Sequence, residues 1–153
     1  MTQDNRIYGG LIDRSRPLAF RFNSQRFTGF AGDTLASALV ANSQRVVARS
    51  FKYHRPRGIF SAGSEEPNAL VQLRNDAHQE PNTRATVVEL FDGLEATSQN
   101  HRGPLAFDLM AINDVISPFL TAGFYYKTFM WPKAFWEKVY EPIIRASAGL
   151  GRL

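Results

Sequence analysis

Cysteine is absent from the 153 residues, and this single absence removes several classes of chemistry. Disulfides, zinc–cysteine sites, thiolate nucleophiles and cysteine-ligated iron–sulfur clusters all need a sulfur that the chain does not have. Long apolar runs are missing as well. The most hydrophobic stretch, FLTAGFYYKTFMW from Phe119, is interrupted by Lys127 and is shorter than the about 20 predominantly apolar residues needed to cross a bilayer. The opening MTQDNRIYGG has no basic segment leading into an apolar one, so the expectation is a soluble, cytoplasmic protein with no membrane partner. His54, His78 and His101 stand in no HxxxH or HxH relation that would set two imidazoles on one metal. The terminal GLGRL lacks a preceding strand and a third glycine, so it is not a phosphate-cradling fingerprint. No catalytic, metal or cofactor-binding residue is expected in the chain.

What is present is the composition of a folding sequence: 44% hydrophobic and 21% charged residues, close to globular averages. The length suits one domain with an extension. The net charge of +4 and the pI near 9.7 are a modest basic excess that could favour anionic partners without establishing one. The 12 Phe, 5 Tyr and 2 Trp are unevenly spread, and FYYKTFMWPKAFW alone holds seven aromatics. Such a cluster implies a surface that something must cover. The segment from Phe119 to Ile144 is therefore read as an interface, with Tyr125, Tyr126, Trp131 and Trp136 as its candidate anchors.

Residues 1–16 are polar and rich in Arg and Gly, and they read as an arm closed by Pro17. Apolar and polar residues then alternate through Leu18, Phe20 and Phe22 and again through QRFTGFA, with Asn23-Ser24 between them supplying turn chemistry. That predicts a hairpin. A helix is predicted over TLASALVANS, with Leu35, Ala38, Leu39 and Asn42 on one face and Asp33 as N-cap. Further strands are expected at residues 68–73 (NALVQL) and 84–91 (RATVVELF), with a loop over 74–83. Past Asp92-Gly93 the character becomes helical. One helix is expected from Pro104 through Leu105, Leu109, Ile112 and Ile116, and another from Pro132, kinked or split by Pro142. Hairpin followed by helix is the opening of a β-grasp fold. The organisation expected is an arm at 1–16, an α+β domain at 17–95 and a helical, aromatic-rich extension at 96–153.

The most informative stretch is FKYHRPRGIFSAGSEEPNALVQL, residues 51–73. Pro56, Gly58, Gly63 and Pro67 make it a loop. Arg45, Arg49, Lys52, Arg55 and Arg57 precede it or open it without an intervening acid, and Glu65-Glu66 follow. Its RPRGIF run resembles the two-iron ferredoxin-like parts of flavin-dependent amine oxidoreductases, in which cysteines follow at C-x4-C-x2-C with a fourth further on. On that resemblance the ligand positions fall on Ser61, Glu66, Ala69 and Thr86, so the cluster site is vestigial. With IDRSRPLAFRF, AGDTLASALVAN and AGFYYKTFMWPKAFW, the chain resembles, over nearly its whole length, the N-terminal region of the alpha subunits of heterotetrameric sarcosine oxidases.

That resemblance implies a ferredoxin-like domain without its cluster, acting as scaffold and docking surface. Its implied partners are the rest of an alpha subunit and the other subunits of a complex that oxidatively demethylates sarcosine to glycine with oxygen and tetrahydrofolate. The cofactors implied for such a complex are FAD, FMN, NAD and tetrahydrofolate, none of them held by this segment. Arg55 and Arg57, flanking Pro56, are expected to anchor the loop to a neighbouring domain or subunit through bidentate contacts. His54 reads as a packing or hydrogen-bonding residue. Glu65 and Glu66, adjacent in an extended segment, point apart and so read as solvated or salt-bridged rather than as an acid–base pair.

The rival reading treats the basic run at 45–57, interleaved with Phe51 and Tyr53, as a platform for single-stranded nucleic acid. It has Pro and Gly where regularly spaced aromatics would be needed, so no nucleic acid partner is expected. An independent electron carrier or flavoprotein is disfavoured for want of cysteine and of a phosphate loop.

Overall fold

The period-two alternation at the start of the domain produces two long paired strands. In the computed structural model, which describes residues 5–7, 9–75, 78–115, 117 and 135–147, β1 spans Asp13–Phe22 and β2 spans Gln25–Ala31. Phe20 and Phe22 are buried while Arg21 between them is exposed, as the pleat requires. Asn23 and Ser24 join the strands with φ of 49° and 67°. Two consecutive positive φ values give the turn whose twist matches that of the strands it connects. β1 begins at Asp13, inside the segment expected as an arm, and a register shift between Asp13 and Pro17 accommodates the proline.

Helix α1, Leu35–Ala41, follows and buries Leu35, Ala36, Ala38, Leu39 and Ala41. Its N-cap is Thr34, not the expected Asp33. The Thr34 side chain accepts from the Ser37 backbone N–H and Ser37 Oγ accepts from the Thr34 N–H, a reciprocal capping box. Asp33 is displaced one residue outward. It is buried, and its carboxylate accepts from the Phe30 N–H, the Ser37 hydroxyl and Arg6. Gly29 in β2 lies so close beneath the helix that a Cβ there would approach Leu90 Cδ2 to 2.3 Å and Ala38 Cβ to 3.1 Å, so the lack of a side chain lets α1 seat on the sheet.

Two short strands, β3 (Ala48–Arg49) and β4 (Pro56–Arg57), form an antiparallel ribbon. β5 (Leu70–Asn75), β6 (His78–Arg84) and β7 (Glu95–Ser98) complete a five-stranded sheet in the order β2-β1-β7-β5-β6. β1 and β7 run parallel at its centre and the other neighbours are antiparallel. The core joins Phe20, Phe22, Leu35, Leu39, Val47, Val71, Leu90 and Leu94. Burying each such side chain contributes about 1.5–3 kcal/mol. The result is the expected α+β architecture, a mixed sheet holding one helix.

The sheet corrects two expectations. The segment expected as a loop, 74–83, carries most of β6. Of the segment expected as a strand, 84–91, only Arg84 is one, closing β6 opposite Leu70; from Ala85 on it is a turn whose one ladder contact is the Thr34–Glu89 bridge. β6, HQEPNTR, has no strand pairing on its outer side among the described residues, and Pro81 falls at the register shift opposite Val71 and Leu73, so it is tolerated there. In the turn, Ala85 and Leu90 enter the core while Val87 stays exposed.

The helix expected from Pro104 begins later. Asp108 accepts from the Met110 N–H and starts a 3-10 turn at Leu109–Ala111 that passes into α2, Ile112–Val115. Further on, a π-type turn at Trp136–Tyr140 passes directly into α3, Glu141–Ser147, so the departure from regular α-helix lies just before Pro142.

Candidate functional site

The loop between β4 and β5 is organised by a single carboxylate. Gly63 O accepts from the Glu66 N–H at 3.2 Å, a tight turn that directs the Glu66 side chain inward, where it is 0% exposed. Glu66 Oε2 accepts from the backbone N–H groups of Phe60 (2.7 Å) and Ser61 (2.5 Å), and the Ser61 hydroxyl lies at 3.3 Å. Oε1 accepts from the N–H groups of Asn68 (2.7 Å) and Ala69 (3.1 Å). Burial, the largest single influence, raises the Glu66 carboxyl pKa. The donors on Ser61, Asn68, Phe60 and Ala69 together outweigh it and hold the group below the ordinary 4.5. Glu66 is therefore neither solvated nor salt-bridged, which corrects the reading from its sequence. It is the ionised centre of the loop.

The remaining candidate positions surround the same turn. The Thr86 hydroxyl donates to Gly63 O at 2.7 Å, and the Ala85 N–H donates to Ala69 O at 2.9 Å. Arg84 Nε donates to Glu66 O at 3.1 Å. Ser61, Glu66, Ala69 and Thr86 thus share one loop and its anchoring turn. Glu65 stays exposed; its carboxyl is lowered by its own backbone N–H, then by the Ser61 side chain and the Gly63 N–H. This donor set does not fit an iron–sulfur cluster. There is no thiolate, Ala69 offers no side-chain ligand, and both Glu66 oxygens already accept backbone N–H groups. Among the described residues no group of three or more His, Asp or Glu is placed to hold a metal ion.

A second polar centre fastens the extension to the domain. Arg49, in β3, is 7% exposed. Its Nε and Nη2 donate to Leu105 O at 3.0 and 2.8 Å, Nη2 also to Ala106 O at 3.1 Å, and Nη1 to His54 O at 2.9 Å. His54, at a φ of 56°, brings Nδ1 to 2.6 Å from Asp108 Oδ2. Burial raises the Asp108 carboxyl most. The N–H groups of Arg102 and Met110, followed by His54, reverse that and leave it below the ordinary 3.8. Arg55 pairs with Asp114 in α2 at 2.6 Å and lies over the Tyr53 ring, while Arg57 donates to Asn68 Oδ1 at 2.8 Å.

The basic run is therefore not one exposed stripe, since Arg49 is buried and Arg55 and Arg57 bond within the chain. Tyr125, Tyr126 and Trp131 lie outside the described residues, as does most of the expected interface from Phe119; Trp136 begins the π-type turn. The sequence reading passed over Arg49 and Asp108. Nothing in the local pattern separates Arg49 from the cations around it. Asp108 did carry a signal, an acid directly before LMAIN, which is N-cap chemistry.

Residues 15–101 match the family described as 2Fe-2S iron-sulfur cluster binding domain. The chain is 62% identical over 143 residues, 94% of its length, to a protein of Rhizobium meliloti (strain 1021) named sarcosine oxidase subunit alpha. It is 44% identical over 100 residues, 63% of its length, to the sarcosine oxidase subunit alpha of Corynebacterium sp. (strain U-96). It spans 14% and 10% of those two proteins. Among solved structures, the L-proline dehydrogenase of P. horikoshii is similar over 57% of this chain and 16% of that one, with 22% identity and a TM-score of 0.46. On the extent of the family match, and with a loop that closes on a carboxylate where thiolates would be needed, the chain belongs to the 2Fe-2S iron-sulfur cluster binding domain family as a member without cysteine.

Proposed function

We propose that this chain is the structural and docking portion of a sarcosine oxidase-type alpha subunit, acting in a cytoplasmic complex without itself carrying electrons. The observation that carries the reading is the enclosure of Glu66. A loop whose inward donors all bond to a carboxylate of the same chain has no place for a redox centre, so its contribution is shape. The similarity to proteins named sarcosine oxidase subunit alpha supports the assignment to that complex. On this reading FAD, FMN, NAD and tetrahydrofolate are held by the rest of the complex, and the partners of this chain are the remainder of the alpha subunit and the other subunits. On this reading the exposed side chains of Arg55 and Arg57, beside their bonds to Asp114 and Asn68, add contacts across such a boundary.

The test is double charge reversal, Arg55→Glu with Arg57→Glu, in the complete complex. Assembly measured by size-exclusion chromatography should fall, while the kcat of the fraction that does assemble stays at the wild-type value. Normal assembly with collapsed turnover would overturn the reading and place this chain at the chemistry.

A further inference from the structure

The loop at 58–69 poses a question that the subunit assignment leaves open: what takes the place of the group for which the family is described. A loop wrapped around an anionic cluster turns backbone N–H groups inward, toward the cluster sulfurs, and those hydrogen bonds are one of the protein's means of stabilising it. Here the N–H groups of Phe60, Ser61, Asn68 and Ala69 also point inward, and all of them end on the two oxygens of Glu66. Each oxygen takes the N–H groups of one pair of adjacent residues, so the carboxylate bridges the two limbs of the loop. Four N–H groups aimed at one volume would be costly to bury without an acceptor, about 1–3 kcal/mol apiece. Glu66 has no exposed surface, so in the intact chain its carboxylate, and not bulk water, is their acceptor.

We propose that the loop is an anion-binding nest whose ligand is built into the chain: the Glu66 carboxylate stands in for an anionic cluster and holds the loop in a cluster-type conformation without metal. Successive inward N–H groups are a general device for binding anions, and what distinguishes this nest is that a side chain from within the loop fills it. The turn that delivers Glu66 is itself tied down by the Thr86 hydroxyl on Gly63 O and by Arg84 on Glu66 O, so the carboxylate is placed from outside the loop as well as from within it. One consequence is display. Phe60 donates its N–H to the buried carboxylate while its ring stays 82% exposed, so the ordered loop presents an aromatic side chain outward from a fixed backbone.

The inference concerns the chemistry of the loop and does not depend on which enzyme the chain serves. If Glu66 is the bound anion of a nest, removing the side chain should leave a site for a small free carboxylate. In Glu66→Ala, amide hydrogen exchange at Phe60, Ser61, Asn68 and Ala69 should accelerate by at least about tenfold relative to the β1 and β5 core, as local opening permits. Sodium formate should restore that protection saturably and raise Tm in step with its occupancy, whereas formamide, the neutral analogue, and sodium chloride at equal ionic strength should not.

Glu66→Gln covers the case in which the alanine variant fails to fold. It keeps the volume but turns an amide NH2 toward one of the two N–H pairs, so exchange at either Phe60 and Ser61 or Asn68 and Ala69 should rise while the other pair stays protected. Wild-type protection at all four amides in the glutamine variant would overturn the proposal, as would formate and formamide acting alike on the alanine variant.

Discussion

Removing the Arg49 guanidinium should loosen the chain at the join between the ribbon and the segment that follows β7. Arg49 makes four contacts to three carbonyls, but they are unequal. Leu105 O accepts from both Nε and Nη2, and Leu105 is buried. Ala106 is exposed and His54 is half-buried, so water can replace the arginine at those two. One buried acceptor losing a charge-assisted donor costs about 2 kcal/mol, and two partly solvated ones add about 0.5 kcal/mol each. The loss in Arg49→Met, which fills much of the same volume, is then about 3 kcal/mol. For a chain of this size that corresponds to a fall in Tm of roughly 6–12 °C. Arg49→Lys should lose about half as much, because one ammonium cannot set parallel donors on Leu105 O and also reach His54 O. Urea unfolding with a fixed m-value reads the loss. A change below about 0.5 kcal/mol in Arg49→Met would refute the reasoning and return Arg49 to the class of surface cations.

Acid should destabilise the chain through Glu66 and Asp108. Both carboxyls lie below their ordinary 4.5 and 3.8 in the folded state. Their contribution is therefore complete above those values and is lost as pH falls through the folded ones, with a limiting slope of about 1.4 kcal/mol per pH unit for each linked proton. Tm measured from pH 6 down to pH 3 should drop, and Glu66→Gln should flatten the profile. The purified chain should contain no stoichiometric iron or acid-labile sulfide by elemental analysis; finding both would refute the account of the loop. Oligonucleotide binding should be undetectable at low salt, where phosphate contacts are strongest; measurable affinity with a steep salt dependence would revive the nucleic-acid reading.

Where the sequence was legible, the pattern and the physics had the same period. Phe20, Phe22, Phe27 and the Asn23-Ser24 turn form a hairpin because alternation and positive-φ chemistry agree there. Leu35, Ala38 and Leu39 form a buried helix face for the corresponding reason. The pattern failed at β6, whose HQEPNTR has nothing apolar to alternate. Its pairing with β5 is set by Leu70, Val71 and Leu73 on the other strand. It failed again at Pro104, where Leu105, Leu109 and Ile112 have helical spacing but Leu105 turns into the core beside Arg49. Leu109 and Ile112 remain 67% and 61% exposed, so the spacing does not describe one packed face.

The chemistry of the candidate loop was not legible in the sequence, and the reason lies in how charges are buried. Sequence reasoning treats a charged residue as solvated, because an isolated buried ion is too costly to persist. Arg49 and Glu66 escape that rule in the same way: each meets backbone groups of opposite polarity, carbonyl oxygens around the guanidinium and N–H groups around the carboxylate. Such partners carry no residue identity, so no pairing of letters could announce them. The two ions, Arg49 at the end of β3 and Glu66 in the loop after β4, stand at either end of the segment that contains RPRGIF. An arginine gripping carbonyls at one end and a glutamate gripping amides at the other fix a proline- and glycine-rich stretch, beside the Arg55–Asp114 and Arg57–Asn68 contacts. Those contacts give the segment a defined shape in a chain that has no cysteine for a cluster or a disulfide.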